Sequence, residues 1–234
     1  VEVVEPCDNG AWLAEIDSWK IAPPEPVFSP DEEGISPFKV IAALRAATKG
    51  EAIITADVGQ HQMWAAQWGQ YERPENWLSS GGAGTMGFGL PSALGAQVGN
   101  PEKEVWAIAG DGGFQMSSAE MATLIQENLP VKIAILNNGY LGMVRQWQEL
   151  FWNNRYSHVD MQTHGGEEAF PDFVKLADAY GIRGARLTNP DTLEADLRAA
   201  FEAEGPAFID VQVAREENVY PMIAPGEAAR NMVG

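Results

Sequence analysis

The sequence predicts an α/β fold with a doubly wound, mainly parallel sheet and helices on both faces. From residue 36 onward, short apolar runs alternate with segments of helical period, which is the pattern of a parallel sheet covered by helices. Runs such as VWAIA and VKIAIL are short and mostly apolar, as expected of buried strands. Such sheets bind ligands at the carboxyl ends of their strands, so the residues after each strand are the first candidates for a site.

The predicted elements follow one another along the chain with short connections. Ser36 is a predicted N-cap with Pro37 at the first helical position, which opens a helix to about Thr48. Ser117 and Glu120 have the spacing of a capping box, which predicts a helix from there to about Asn128. The other predicted strands are Glu51–Ala56, Val105–Ala109, Val131–Leu136, Gly184–Leu187 and Ala207–Val213, and the other helices are Gln60–Trp68, Gly87–Val98, Phe170–Tyr180 and Asp191–Ala203.

The first 35 residues differ in composition from the rest. One short helical pattern around Trp12, Ile16 and Trp19 precedes the proline-rich stretch Ala22–Pro26, which is typical of a linker. We therefore expect residues 1–35 to be a linker and the end of a preceding domain. Residues 36–234 are then expected to form one domain with a C-terminal tail.

Composition excludes several classes of function. The formal net charge of −18 disfavours general binding to nucleic acid, because it repels a phosphate backbone. No stretch approaches the roughly 20 apolar residues of a membrane span, and the N-terminus lacks the features of a signal peptide. The single cysteine, Cys7, fits a reducing compartment. We expect a cytoplasmic protein without nucleic-acid or membrane partners.

Asp111 and Asn138 carry the strongest chemical signal. Each follows one of two consecutive predicted strands, so both should lie at the same edge of a parallel sheet. A carboxylate and an amide oxygen there suit Mg²⁺, and glycines 110, 112 and 113 allow backbone N–H groups to approach a phosphate. The alternative is that both segments are ordinary turns, but their joint occurrence favours a metal–phosphate site.

The GDG at Gly110–Gly112 and the pair Asn137-Asn138 resemble the motif of enzymes that use thiamine diphosphate, also called thiamine pyrophosphate. The resemblance implies the thiamine diphosphate-binding fold. It assigns Mg²⁺ to Asp111, Asn138 and the backbone carbonyl of Tyr140, where the ion would meet the cofactor's diphosphate. The motif indicates the superfamily and does not specify the reaction.

A second segment, Val58-Gly59-Gln60-His61, follows the first predicted strand. Its backbone N–H groups lie at a strand-to-helix turn, where an anion can bind. The resemblance assigns this segment to the cofactor, with Gly59, Gln60 and His61 at its diphosphate end. An isolated histidine is more often structural, but the position of His61 at a strand end favours a role in binding.

The glycines at 82, 84 and 87 match a dinucleotide-binding fingerprint, which requires a preceding strand. Asn76–Ser80 makes a poor strand, so nicotinamide binding is rejected. The stretch instead resembles the GGxGTMGxGLP of acetohydroxyacid synthases. This resemblance assigns the carbonyl of Gly84 to the cofactor's 4′-amino group and Met86 to the space under the bent cofactor. Both are the candidate catalytic residues, although Met86 could also be a core side chain.

The stretch GMVRQWQ at Gly142–Gln148 directly follows the proposed metal site and is the segment most typical of acetohydroxyacid synthases. The resemblance places the preceding Leu141, together with Tyr140, Gly142 and Met143, at the cofactor. It also implies that Met143 and Trp147, which share a helix face, line the pocket for a second 2-keto acid. A buried aromatic stripe is the alternative.

Together these segments resemble the C-terminal, thiamine diphosphate-binding domain of the acetohydroxyacid (acetolactate) synthase catalytic subunit. That family joins pyruvate to a second 2-keto acid, a transferase step of branched-chain amino acid biosynthesis. Its pyrimidine domain supplies an activating glutamate from the partner subunit, and its middle domain holds FAD in many members. We expect neither domain in these 234 residues. We therefore expect this chain alone to be inactive and the whole enzyme to be a homo-oligomer. A regulatory subunit is a further candidate partner.

Two other functions stay open from the sequence. One is a different thiamine diphosphate enzyme, of the pyruvate oxidase or decarboxylase type. The other is a non-catalytic module that binds Mg²⁺ and diphosphate.

Two further segments stand apart from the motifs above. Tyr220–Gly226 resembles the family's C-terminal tail, which folds over the active site. Met161–Ala169, with His164, is a predicted surface insertion.

Overall fold

The computed structural model describes residues 8–19, 33–71, 73–162 and 170–234. The chain divides into two units, Val1–Pro30 and Asp31–Gly234. In the first unit the helix α1 (Gly10–Trp19) buries none of its side chains. The short helix predicted around Trp12 is thereby confirmed, while the assignment of residues 1–35 to a linker and a preceding domain stays a prediction.

The second unit alternates strands and helices in the predicted order. In the described ranges, no helix combines the length and the apolar character needed to cross a membrane. The helices are α2 (Pro37–Thr48), α3 (Gln60–Trp68), α4 (Gly89–Gly99), α5 (Asp111–Ser117), α6 (Met121–Gln126), α7 (Gly142–Phe151), α8 (Phe173–Ala179) and α9 (Leu193–Glu202). The strands are β1 (Ile53–Ala56), β2 (Trp77–Ser79), β3 (Val105–Gly110), β4 (Lys132–Asn137), β5 (Arg183–Leu187), β6 (Ala207–Gln212), β7 (Met222–Ile223) and β8 (Met232–Val233).

Six of these strands form one sheet in the order β2-β1-β3-β4-β6-β5. Every pairing in this sheet is parallel, which confirms the predicted fold class. Because β2 and β3 lie on opposite sides of β1, the strand order reverses at β1, and open parallel sheets bind ligands at such a point. Strands β7 and β8 form a separate antiparallel pair near the C-terminus.

Side chains of the central strands point alternately into two apolar cores. Ile54 and Ile108 face the core that is covered by α2, α3 and α9. Ile53 and Ala107 face the opposite core, which is covered by α4, α5, α6 and α8 and includes Phe208. Because both faces are buried, the strands must be apolar at successive positions, which explains their continuous apolar runs in the sequence.

The N-cap position of Ser36 before Pro37 is confirmed, whereas the predicted capping box at Ser117 is wrong, and the other boundaries agree to within three residues. Ser36 precedes α2, but its hydroxyl makes no hydrogen bond to any described residue. Ser117 and Glu120 do not form a capping box, because α5 already begins at Asp111 and Ser117 lies at its end. A carboxylate at the first position of a helix is favourable, since it complements the helix dipole.

The stretch Asn76–Ser80, predicted to be a poor strand, contains the short edge strand β2. Trp77–Ser79 pairs with β1, so that prediction is wrong. The glycines that follow, between Gly82 and Gly87, lie in turns, and α4 begins only at Gly89. They therefore do not open a helix, as a dinucleotide-binding fingerprint requires.

At the amino-terminal edge of the sheet, the half-buried Glu104 accepts a hydrogen bond from Trp106 Nε1. Burial raises the pKa of Glu104 to about 7, against the opposing effects of that bond and the charge of Lys132. The folded chain therefore holds this proton more tightly than the unfolded chain. As the pH rises from about 4.5 to about 7, ionisation of Glu104 destabilises the fold.

We predict that E104Q increases the free energy of unfolding at pH 8 and leaves it unchanged at pH 4.5. The gain should be about 1 kcal/mol, which is discounted for solvent screening because the carboxyl is only half-buried. Urea unfolding at both pH values measures it. The exposed Glu102 provides the control, E102Q, which should change stability by less than about 0.5 kcal/mol at either pH. An equal gain at both pH values would contradict the assignment.

Candidate functional site

A cleft opens at the carboxyl edge of the sheet, where β1, β3 and β4 end, and spans about 490 Å³ including its part that is open to solvent. This is the edge at which the sequence predicted a site, and β1 is the strand at which the order reverses. The cleft is lined by the predicted residues Val58, Gly59, Gln60, His61, Met86, Gly110, Asp111, Gly112, Gly113, Asn138, Tyr140, Leu141, Gly142 and Met143.

Two predicted site residues do not line this cleft. Gly84 lies in the turn before Met86 with φ of +64°, a conformation that favours glycine. Trp147 is 39% exposed on α7 and packs edge-on against Phe151, with 6.1 Å between the ring centroids. Met143, one helical turn before Trp147, does line the cleft.

Sequence reasoning missed three residues of the lining, Trp64, Leu136 and Val144. Trp64 is buried one helical turn after Gln60, and this spacing could have identified it. Leu136 belongs to β4 and Val144 to α7, where nothing distinguishes them in sequence from other apolar residues.

Asp111 and Asn138 lie close together where β3 and β4 end. Asp111 Oδ1 accepts a hydrogen bond from Gly112 N at 2.8 Å, and its Oδ2 accepts one from Gly139 N at 2.7 Å. The second bond joins the ends of the two strands. Asn138 Oδ1 accepts a hydrogen bond from Tyr140 N at 3.0 Å. The two side chains thus present oxygen atoms at one place on the sheet edge.

This donor set fits a hard cation that also binds phosphate. The described part of the chain contains no group of three or more His, Cys, Asp or Glu that could hold a metal. The protein would thus supply one carboxylate with amide and carbonyl oxygens, and Mg²⁺ commonly completes such a set with phosphate and water. Burial raises the pKa of Asp111 to about 7, more than the bonds from Gly112 and Gly139 lower it. A divalent cation beside this carboxylate would stabilise its ionised form.

The cleft wall also fits a diphosphate. A Cβ on Gly112 would lie 2.7 Å from Leu141 Cδ2, so a larger residue here would have to displace the Leu141 side chain. His61 Nε2 is buried and has no hydrogen-bond partner among the described residues. Burial lowers the pKa of His61 to about 4, although the charge of Asp57 opposes this. The neutral ring therefore offers an unused hydrogen-bonding atom at the cleft.

Asp57, which sequence reasoning did not select, fastens the loop that carries Met86. Its side chain is fully buried at the end of β1. Oδ1 accepts hydrogen bonds from Val58 N at 2.6 Å and Gly87 N at 2.9 Å, and Oδ2 accepts one from Gly89 N at 3.0 Å. A single carboxylate therefore positions the backbone on two sides of the cleft. In the sequence, the signal that could have identified Asp57 is an acidic residue directly after an apolar strand.

Arg215, also not predicted, braces the backbone after β4. Its Nε donates a hydrogen bond to the carbonyl of Asn138 at 3.1 Å. Its guanidinium lies over the ring of Tyr140, 4.4 Å from the centroid. Beyond it, Met161 N donates to the carbonyl of Gly139 at 3.0 Å. Residues 163–169, including His164 and most of the predicted insertion, lie outside the described residues.

Comparison with known proteins gives a family match. Residues 57–211 match the family model described as thiamine pyrophosphate enzyme, C-terminal TPP binding domain. The chain is 47% identical over 226 residues to the acetolactate synthase large subunit of Parasynechococcus marenigrum (strain WH8102), covering 97% of this chain and 35% of that protein. It is 49% identical over 201 residues to an acetolactate synthase of Mycobacterium leprae (strain TN), covering 85% of this chain and 32% of that protein.

A solved structure is also similar, that of the thiamine diphosphate-dependent 4-hydroxybenzoylformate decarboxylase from Rhodococcus jostii RHA1. The TM-score is 0.68 at 27% sequence identity, covering 85% of this chain and 37% of that one. The chain spans about a third of the length of these relatives. The similarity therefore concerns one domain of longer proteins.

We predict that D57N lowers the free energy of unfolding by about 1–3 kcal/mol, because an amide nitrogen would replace an oxygen that accepts buried backbone N–H groups. Urea unfolding of the chain measures this loss. The matched control is D178N at the exposed end of α8, which should change stability by less than about 0.5 kcal/mol. Equal effects of the two substitutions would contradict the anchoring role of Asp57.

Proposed function

Because this chain belongs to the thiamine pyrophosphate enzymes and carries their C-terminal TPP-binding domain, we propose that its cleft holds thiamine diphosphate together with Mg²⁺. The observation that carries the proposal is the convergence of Asp111 and Asn138 at the ends of β3 and β4. In this proposal, Asp111, Asn138 and the carbonyl of Tyr140 bind the metal ion. Mg²⁺ then offsets the negative charge of the cofactor's diphosphate in an otherwise acidic protein.

The other residues of the cleft would bind and orient the cofactor. We assign its diphosphate end to Gly59, Gln60 and His61, because His61 has an unused buried nitrogen. Glycines 110, 112 and 113 also line the cleft, and their lack of a side chain lets the diphosphate approach the backbone closely. Val58, Leu141, Gly142 and Met143 complete the wall.

Gly84 and Met86 are the proposed catalytic residues. Thiamine diphosphate, when bound, would supply a carbon nucleophile for the decarboxylation of a 2-keto acid and for the transfer of the remaining carbon unit to an acceptor. We propose that the carbonyl of Gly84 accepts a hydrogen bond from the cofactor's 4′-amino group. Met86 lines the cleft and would support the bent cofactor as an apolar wedge. The buried carboxylate of Asp57 holds the loop of both residues through Gly87.

We propose that the whole polypeptide is an acetolactate synthase, a transferase that joins pyruvate to a second 2-keto acid. Support comes from relatives that are named acetolactate synthase, at 47% and 49% identity. Met143 in the cleft and the partly exposed Trp147 would then border the second substrate. The proposal extends to a cytoplasmic role in branched-chain amino acid biosynthesis, a homo-oligomer, FAD in the whole enzyme, and a regulatory subunit as a partner.

A decarboxylase is the second candidate, since the similar solved structure is a thiamine diphosphate-dependent decarboxylase. It would use the same metal and cofactor residues. The two candidates differ in the fate of the carbon chain that remains after CO₂ leaves. Product analysis therefore separates them.

We predict that the full-length enzyme forms acetolactate from pyruvate with thiamine diphosphate and Mg²⁺, and that D111A abolishes this activity. Removing a metal ligand should cost more than the about 10- to 100-fold lost with outer-shell partners. A colorimetric assay for acetolactate measures the rate, with D178A at the exposed end of α8 as the control. Release of CO₂ without acetolactate would favour the decarboxylase, and full activity of D111A would refute the metal assignment.

We predict that the 234-residue chain, assayed alone, forms no detectable acetolactate under the same conditions. The reason is that the family's activating glutamate belongs to a separate N-terminal pyrimidine domain. Calorimetric titration with thiamine diphosphate and Mg²⁺ in parallel shows whether the chain binds its cofactor. Robust acetolactate formation by the chain alone would contradict this division of roles.

A further inference from the structure

Two buried glutamines connect Asn138 to the segment Glu217–Val219, which follows β6 in the chain. Gln60 is 4% exposed and Gln146 is fully buried. Gln60 lines the cleft, whereas Gln146 on α7 is not among the lining residues. The side chain of Gln146 reaches the cleft lining through its hydrogen bond with Gln60.

The backbone of Val219 fixes the orientation of the Gln146 amide. Val219 N donates a hydrogen bond to Gln146 Oε1 at 2.9 Å, and Gln146 Nε2 donates to the carbonyl of Val219 at 2.7 Å. If the amide were flipped, Gln146 Nε2 would face Val219 N and Gln146 Oε1 would face the carbonyl of Val219. Two donors and two acceptors would then meet, which is costly for a buried group. Only one orientation of Gln146 satisfies this backbone.

That orientation in turn fixes Gln60. Gln146 Oε1 also accepts a hydrogen bond from Gln60 Nε2 at 2.9 Å. The same Nε2 donates to the carbonyl of Glu217 at 2.9 Å. Both partners of this nitrogen are acceptors, so the nitrogen of Gln60 must face them and its Oε1 must face the cleft.

Gln60 Oε1 then selects the orientation of Asn138. It accepts a hydrogen bond from Asn138 Nδ2 at 3.3 Å. Asn138 Oδ1 consequently points away from Gln60, toward Tyr140 N, and has a second lone pair for a cation. A flipped Asn138 would present its NH₂ group, which cannot bind a metal ion.

The amides of Gln60 and Asn138 pack closely against the backbone of Gly142. A Cβ on Gly142 would overlap Gln60 Oε1 and lie 2.8 Å from Asn138 Nδ2. A residue larger than glycine at position 142 would therefore push Gln60 and Asn138 apart. This gives Gly142 a steric role in the same arrangement.

We propose that Gln146 is a positioning residue for the metal site: through Gln60, it sets which atom of Asn138 faces the cation. The inference rests on the proposed function only in assigning Asn138 to Mg²⁺. Without Gln146, the nitrogen of Gln60 keeps only the carbonyl of Glu217 as an acceptor, so Gln60 restrains the amide of Asn138 less firmly and the bond from Tyr140 N becomes its main restraint. Outer-shell partners of this kind contribute about 10- to 100-fold to metal affinity.

The test is a Mg²⁺ titration of the full-length protein at saturating thiamine diphosphate, followed by intrinsic tryptophan fluorescence. We expect Q146M to raise the half-saturating Mg²⁺ concentration about 10- to 100-fold. Gln148 offers a matched control on the same helix, since its amide holds the N–H and carbonyl of Ser157 in the same way. We expect Q148M to leave the half-saturating Mg²⁺ concentration unchanged.

Combining substitutions distinguishes positioning from a general loss of stability. If Gln146 acts through Gln60, Q146M should shift the half-saturating Mg²⁺ concentration far less in a Q60A background, because contacting residues are not additive. An undiminished shift in that background, or equal shifts in Q146M and Q148M, would overturn the proposal. Where Q146M does not fold, Q146N keeps the amide but is one methylene too short to hold both Val219 and Gln60, and the same shift is expected.

The readout also separates this inference from the proposed function. Binding of Mg²⁺ and thiamine diphosphate without acetolactate formation would refute the proposed reaction and leave the Gln146 comparison valid. Failure of the unsubstituted protein to respond to Mg²⁺ at saturating thiamine diphosphate would overturn both.

Discussion

The buried carboxylate of Asp57 is the interaction on which the geometry of the cleft depends. Its two oxygens accept backbone N–H groups from Val58, Gly87 and Gly89. The carboxylate thereby ties the turn after β1 to the loop that carries Met86. Gly113 must also be glycine, because a Cβ there would lie 2.6 Å from Asp57 Oδ1. Three chain segments are thus set around one side chain before any ligand arrives, which lowers the cost of ordering them on binding.

Around this anchor, the cleft combines rigid backbone with a small number of polar side chains. Asp111 bridges the ends of β3 and β4, and Arg215 holds the carbonyl that follows on Asn138. Arg145 on α7 pairs with Glu216 at 3.0 Å, so the segment after β6 is fastened to the same helix that carries Gln146. Asp111 and Asn138, the proposed metal ligands, are therefore supported from the sheet, from α7 and from the C-terminal segment at once.

The sequence predicted the fold well because its determinants are local. Short apolar runs such as VWAIA, alternating with helical segments, indicate buried strands, and the glycines beside Asp111 indicate a place where another group approaches the backbone closely. The capping box at Ser117 was wrong because a helix already begins at Asp111 and Ser117 lies at its end, without a side-chain capping bond. Edge strand β2 was missed because Trp77–Ser79 is too short to show an alternation of apolar and polar residues.

Residues such as Gln146 could not be identified from the sequence, because their hydrogen-bond partners are distant along the chain. Val219, for example, lies 73 residues from Gln146.

The way the cleft is assembled has a thermodynamic consequence. Its walls come from residues that follow β1, β3 and β4, and they are braced by residues up to Val219. The complete cleft therefore exists only in the folded domain, and a ligand that recognises it binds the native state and not the unfolded chain. Mass action then adds about 2.7 kcal/mol to stability when free ligand is a hundred times its dissociation constant. A ligand that occupies the cleft would accordingly make this domain more resistant to thermal unfolding and to proteolysis of its unfolded form.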